Sequence, residues 1–426
     1  MKMKYLLLPA LLLGLSGCSV TVAKENSDDE YKGDAMYDYS FSGEGGYTPY
    51  PSGGYADAEI SGTPGEGGGD TDPVDPVEIV QPKAGQLTCS ALDDNKYYEY
   101  WKGLSNSTQE GKGLFQNYKE TFAFNTFNRL DLTINNGTNI TVKVKGDTYA
   151  TKVDNLHKAY LFPQTEKENY EVEISYVDSN NQAQKIEKTV NDGDVIDLED
   201  TFTISNNLEI MFVIDATGSM GDEMEYIKSE IDDVISQVKE KNEQANIALA
   251  MMVYRDTGDD YVTKYSDFTT NIASQQAWLK NQRADGGGDF EEAVQVALNE
   301  AINKQWSSNS TKLLFHVADA PAHDKDVISW NQTSLLAARK GIKIISVASS
   351  GIDKKTEYFF RSQSLLTSGQ YVYLTNDSGI GGYHEEATKE EDLVVEYLNE
   401  CLVRLIDGYF TGTFAEPVSW KQSNQQ

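Results

Sequence analysis

Leu208-Glu209-Ile210-Met211-Phe212-Val213-Ile214-Asp215-Ala216-Thr217-Gly218-Ser219-Met220, near the middle of the 426-residue chain, decides how the fold is read. Residues 208–214 are apolar apart from Glu209. So continuous a run fits a strand covered on both faces, as in a parallel sheet flanked by helices. It closes on Asp215-x-Thr217-x-Ser219. In an open α/β sheet, ligand sites lie at the carboxyl ends of the strands. A carboxylate and two hydroxyls at alternating positions there offer hard oxygen donors to one point, suited to Mg²⁺ or Ca²⁺ and poor for soft metals. An aspartate followed by small residues is also a common helix cap, and one loop can do both.

The pattern outward from this stretch alternates strand and helix. Apolar runs predict strands over 247–254, 312–318, 342–348 and 371–374. Helical spacing predicts helices over 222–242, 274–281, 290–304, 327–340, 356–367 and 392–406. In the first of these, Met224, Ile227, Ile231, Val234 and Val238 recur every three or four residues and make one apolar face. The expected fold class is therefore α/β, a doubly wound, mostly parallel sheet.

Two more carboxylates fall at strand ends or glycine turns. Asp319 closes a run in Val317-Ala318-Asp319-Ala320-Pro321-Ala322-His323, and Asp289 follows the glycines of Gly286-Gly287-Gly288-Asp289-Phe290-Glu291-Glu292-Ala293. With this order of motifs, residues from about 208 to 408 resemble a von Willebrand factor type A domain carrying a metal-ion-dependent adhesion site. The resemblance implies a reverse-running edge strand over 261–268. It also implies one Mg²⁺ or Ca²⁺ held by Asp215, Thr217, Ser219, Asp289 and Asp319, with a coordination position open to the carboxylate of a protein, extracellular-matrix or cell-wall ligand. In such domains the last helix, here 392–406, shifts when the site fills.

Two positions depart from the family pattern. Thr217 replaces a serine and keeps the oxygen. Gly288 stands where a threonine is common, so the first oxygen after the glycines belongs to Asp289. A carboxylate there would tighten cation binding and weaken attraction for an acidic partner; it would equally serve as N-cap of a helix opening at Phe290. Asp256, after Tyr254-Arg255, reads as an ion-pair or turn residue, and His316, inside an apolar run, as a packed histidine.

The start of the chain reads as a targeting segment. Lys2 and Lys4 precede a short apolar stretch over 6–15, too brief to span a bilayer, ending Leu15-Ser16-Gly17-Cys18. This resembles the lipobox of bacterial lipoproteins. It implies a signal peptide over 1–17 and a lipidated Cys18 that anchors the protein to a membrane of the cell envelope, outside the cytoplasm. Residues 18–86 read as a disordered acidic tether rich in Gly and Pro: 19–86 hold fourteen Asp and Glu against three Lys and Arg.

Residues 87–205 read as a helical segment followed by a β-sandwich of short alternating strands. Ala159-Tyr160-Leu161-Phe162-Pro163, with Tyr170-Glu171-Val172-Glu173-Ile174, is similar to carboxypeptidase-regulatory-like sandwich modules. The type A region is set at 206–410 and a C-terminal tail at 411–426. Cys89 and Cys401, the cysteines besides Cys18, permit a disulfide in an exported protein or two separate buried thiols.

A net charge of −31 excludes sequence-independent nucleic-acid binding, which needs a basic surface. No His-Glu-x-x-His, P-loop or Rossmann fingerprint occurs, and no enzyme is expected. The reading that unites these features is an envelope-anchored lipoprotein that binds a protein or matrix ligand through a cation-dependent domain. The alternatives are a scaffold subunit of an envelope complex and a metal-assisted hydrolase using His323 beside Asp215, Asp289 and Asp319. The last lacks the second metal and the water-activating group that such chemistry wants.

Overall fold

The computed structural model describes residues 82–106, 113–122, 124–200, 205–389 and 391–423. The expected signal peptide, Cys18 and nearly all of the tether lie outside them. The first part of the chain runs β1 (Thr88–Leu92), α1 (Tyr98–Asn106), α2 (Gln116–Thr121), β2 (Leu130–Asn135), β3 (Thr138–Val144), β4 (Ala150–Lys152), β5 (Lys158–Leu161), β6 (Tyr170–Val177), β7 (Ala183–Val190) and β8 (Val195–Asp197). The second runs β9 (Asn207–Asp215), α3 (Met224–Lys241), β10 (Asn246–Tyr254), β11 (Thr263–Thr269), α4 (Ile272–Lys280), α5 (Val294–Ile302), β12 (Thr311–Ala318) and α6 (Val327–Lys340). It continues with β13 (Ile342–Ala348), α7 (Lys354–Leu366), β14 (Tyr371–Leu374), β15 (Glu396–Tyr397), α8 (Leu398–Thr411) and α9 (Trp420–Ser423).

The large sheet has the order β11-β10-β9-β12-β13-β14-β1-β15. From β10 to β14 neighbouring strands are parallel, and β11 runs antiparallel to β10 as the expected reverse edge strand. Helices cover both faces, as strands buried on both sides require. On one face Ile227, Ile231 and Val234 of α3 share a core with Leu402, Leu405 and Ile406 of α8. On the other, Leu298 of α5, Trp330 of α6 and Phe360 of α7 do the same. The register sets Asp215 beside Tyr254 and Ile214 beside Val317, so the ends of β9, β10 and β12 meet along one rim.

Residues 130–197 form the expected sandwich, with sheets β5-β2-β8 and β4-β3-β6-β7. Along β2 buried and half-buried residues alternate, the mark of a sheet with one face on a core. That core does not stop at residue 205: Leu132, Val142 and Ile174 belong to the same cluster as Trp330 and Phe359. Trp101 stacks on Tyr358 with centroids 6.1 Å apart, and Phe124 meets Trp330 edge-on at 6.0 Å. Arg361 of α7 is fully buried between Asp94, at 2.9 and 2.6 Å, and Glu357 at 2.8 Å, and it also donates to the Thr388 carbonyl.

Three sequence assignments change. Residues 88–92, grouped with the sandwich segment, pair into the large sheet: β1 runs antiparallel to β14 on one side and β15 on the other. The last helix opens at Leu398 rather than 392, because Glu396 and Tyr397 are taken into the sheet by this pairing. The helix expected from Phe290 opens at Val294 with Ala293 as N-cap, which removes the capping role considered for Asp289. Just before β1, the amides of Gly85, Gln86 and Leu87 all donate to the Glu230 carboxylate of α3, at 2.8, 2.8 and 2.9 Å.

Cys89 of β1 and Cys401 of α8 are both buried, and both are free thiols. Burial, and then the hydrogen-bonded Cys401 thiol, push the Cys89 thiol well above its ordinary value. Among the described residues no helix is long and apolar enough to cross a membrane.

Candidate metal centre

Asp215 is the last residue of β9 and is fully buried. Its Oδ1 accepts from the Thr217 amide at 2.9 Å and from the Thr217 hydroxyl at 2.7 Å. Its Oδ2 is buried with no hydrogen-bond partner. Thr217 Oγ1 and Ser219 Oγ lie 3.3 Å apart, and Ser219 is exposed at the mouth. Ser219 in turn hydrogen-bonds to Asp319, one residue past β12, whose Oδ1 is also buried without a partner. The structure thus brings Asp215, Thr217, Ser219 and Asp319 together at one point of the rim.

The glycine loop lies directly on this turn. Gly218 donates to the Gly286 carbonyl at 3.1 Å, and Asp285 to the Ala216 carbonyl at 3.0 Å. Gly287 has φ +77°, and a Cβ there would stand 3.1 Å from Glu292 Oε1 and 3.4 Å from Thr217 Cβ. Only glycine allows both the left-handed backbone and so close an approach. Buried Arg255 fixes the loops from behind: Nε donates to the Ala216 carbonyl and Nη2 to that of Arg283, both at 3.0 Å.

Glu292 is the functional candidate that sequence reading missed. Expected in the first turn of a helix over 290–304, it instead sits in extended backbone, bridging in parallel to Ala322 with its amide on the Pro321 carbonyl at 2.9 Å. It is 2 % exposed, and its Oε2 has no hydrogen-bond partner. The signal was present in the string: a glycine triplet packed on the first motif delivers the next few residues to the same rim.

Three buried carboxylates therefore face one another with no cationic side chain bonded to them. Burial, and then the charge of Asp319, raise Asp215 to about 7. Burial raises Asp319 to about 6, against the hydrogen bond from Ser219. Burial, followed by the charges of Asp215 and Asp256, raises Glu292 to about 9. Glu223, at the same rim, contrasts: its carboxylate is satisfied by His384 Nε2 at 2.6 Å and the Ser350 amide at 3.3 Å.

Asp289 is placed differently from the other expected ligands. Its carboxylate, one oxygen of Asp256 and one ring nitrogen of His323 all lie within 4.8 Å of one another. His316 is buried, as a packed histidine should be, but fully hydrogen-bonded: Gln363 Nε2 donates to Nδ1 at 2.9 Å, and Nε2 meets the Tyr254 hydroxyl at 3.0 Å.

Residues 209–384 match the family model of the von Willebrand factor A domain. Over 170 residues the chain is 28% identical to an alpha-protein kinase, vwkA, of Dictyostelium discoideum, covering 39% of this chain and 27% of that protein. Over 186 residues it is 27% identical to a putative ariadne-like RING finger protein of Acanthamoeba polyphaga mimivirus, covering 39% of this chain and 18% of that one. The chain thus spans less than a third of the length of either relative. Among solved structures it is similar to the pilus adhesin SpaC of Lactobacillus rhamnosus GG in its open conformation, at 11% identity and a TM-score of 0.36, covering 57% of this chain and 32% of that one. It is also similar to the conserved hypothetical protein BatB of Bacteroides thetaiotaomicron, at 15% identity and a TM-score of 0.27, covering 51% and 96%.

Proposed function

We propose that the von Willebrand factor A domain of this chain is a cation-dependent binding head, presented outside the cytoplasm by a lipid on Cys18. The observation that supports this most is the trio of buried, unpartnered oxygens, Asp215 Oδ2, Asp319 Oδ1 and Glu292 Oε2, beside the Thr217 and Ser219 hydroxyls. An unpartnered buried carboxylate oxygen is costly, and a divalent ion compensates several at once. The donors are all oxygen, which suits Mg²⁺ or Ca²⁺. Asp215, Thr217, Ser219 and Asp319 would hold the ion, with Glu292 closing the back of the site. When bound, the ion supplies an electrophilic position that the carboxylate of a protein or matrix ligand can fill. Exposed Ser219 marks the side from which such a ligand approaches.

The test is thermal melting of the chelator-treated protein with added Mg²⁺ or Ca²⁺. An ion that binds only the folded state stabilises it by about 2.7 kcal/mol at a hundredfold excess over its dissociation constant. The melting temperature should rise in the parent and stay level in Asp215→Ala. Equal rises in both would move the site elsewhere. Retention of partners from intact cells, with and without chelator, then separates an adhesion head from a subunit of an envelope complex.

A further inference from the structure

Asp256, Asp289 and His323 come from three separate loops, after β10, in the glycine turn and after β12. Their donor atoms nevertheless converge within 4.8 Å. We propose that they form a second metal site, distinct from the Asp-x-Thr-x-Ser site, for a first-row transition ion such as Zn²⁺. The donor set argues for the class of metal. Imidazole suits Zn²⁺ and its neighbours, whereas Mg²⁺ and Ca²⁺ take oxygen. Bonds of about 2.1 Å place adjacent donors of such an ion roughly 3–3.5 Å apart. His323 Nε2 and Asp256 Oδ1 already stand 3.1 Å apart, sharing a hydrogen bond whose place an ion would take.

The loops hold these donors in place independently of any ion. Asp259 Oδ2 accepts from the Asp256 amide at 3.2 Å and from the Gly287 amide at 2.9 Å, tying the Asp256 loop to the loop that carries Asp289. The Asp256 and His323 side chains are mostly covered, at 14 % and 21 % exposure, while Asp289 is exposed and has room to close on an ion. A second observation points to the same place. Glu292, 2 % exposed and with Oε2 unpartnered, feels the charges of Asp256 and Asp259 as well as those of Asp215 and Asp319. The carboxylates at this rim exceed what one divalent ion would neutralise.

The two sites predict separable losses. In equilibrium dialysis against Zn²⁺ with Mg²⁺ in large excess, the chelator-treated full chain should retain one Zn²⁺. Asp256→Asn and His323→Gln should each weaken that retention at least tenfold, while keeping the rise in melting temperature produced by Mg²⁺. Asp215→Ala should do the reverse. As a readout on the parent itself, the His323 ring resonances should shift on Zn²⁺ addition and not on Mg²⁺ addition. Zn²⁺ retention unchanged in both Asp256→Asn and His323→Gln, or lost in Asp215→Ala and kept in these two, would overturn the second site. An unmoved His323 resonance at saturating Zn²⁺ would do so as well. Failure of the Mg²⁺ response alone would count only against the first site.

Discussion

Two groups of carboxylates are buried to nearly the same depth in this molecule. Asp94, just after β1, and Glu357 of α7 lie on either side of Arg361; Asp215, Asp319 and Glu292 lie at the rim of the sheet. The first group comes with its own cation, since Arg361 forks onto Asp94 and reaches Glu357. The second has only hydroxyls, an amide and one another. A folded chain that neutralises one buried acidic group so completely and leaves another bare separates architecture from recognition. The paired group joins two parts of the fold, and the unpaired one is where the proposed function would seat an ion from outside.

The sharpest way to break this comparison is to remove the cation from the first group. Arg361→Leu should cost about 3–5 kcal/mol, because it strands two buried carboxylates. Chemical denaturation without added cation measures it. Asp215→Asn in the same experiment should show no comparable loss, since it removes a charge that its neighbours repel. Equal losses in the two variants would mean that the rim carboxylates are structural after all.

A second test asks whether the protein can supply its own positive charge behind the rim. His316 touches Tyr254, which neighbours Asp215, but burial holds the imidazole near a pKa of about 3. Gln363 Nε2 donates to Nδ1, its orientation fixed by Trp330 Nε1 donating to Gln363 Oε1 at 2.8 Å. The ring is therefore neutral with its proton on Nε2. Its folded pKa lies below the unfolded value of about 6.5, so the unfolded chain takes the proton first as pH falls. The stability this group contributes should drop between about pH 6.5 and 3, with a slope of up to about 1.4 kcal/mol per pH unit. Asp93, raised to about 6 by burial, and the rim carboxylates Asp215, Asp319 and Glu292, raised to about 7, 6 and 9, work in the opposite sense over part of that range. They are common to parent and His316→Gln, so the difference between the two pH profiles isolates His316. Coincident profiles would mean that His316 takes up its proton at the same pH in the folded and unfolded chain, and that burial does not hold it neutral.

The smallest effect concerns how closely the glycine loop is laid on the first motif. Gly287→Ala should cost about 1–2 kcal/mol for its left-handed backbone, and should also blunt the melting response to cation by crowding Glu292 and Thr217. Gly288→Ala, where an added Cβ meets nothing within 4 Å, is the control and should change neither. A full cation response in Gly287→Ala would detach the loop from the site.

What could be read from the string followed from local physics. β9 is continuous apolar sequence closed by Asp215, and α3 keeps one apolar face, so both were visible without knowledge of their neighbours. Strand β1 was not. Thr88–Leu92 is as short as many loops, and its partners Tyr371–Leu374 lie nearly 300 residues away. Helix α8 was set too early for the same reason, because residues 396–397 answer to that distant strand and not to helical spacing. In the site, Asp215, Thr217, Ser219 and Asp319 were legible because strand ends announce them. Glu292 was hidden by a sequence that is equally good as a helix start; Asp256, read as an ion-pair or turn residue, does meet His323 Nε2 at 3.1 Å.

The placement of β1 has a mechanical consequence. The segment from residue 85 onward enters the sheet between β14 and β15, bonded on both edges, after its amides are gripped by Glu230. A pull along the β1 axis from the N-terminal side loads these backbone bonds side by side, in shear, and they cannot open one at a time as a zipper does. Cys89 lies in this strand against Cys401 of α8, so the same short element that bears the load also touches the helix behind the sheet. Tension arriving from that side would reach the core of the domain before it reached the carboxylate rim.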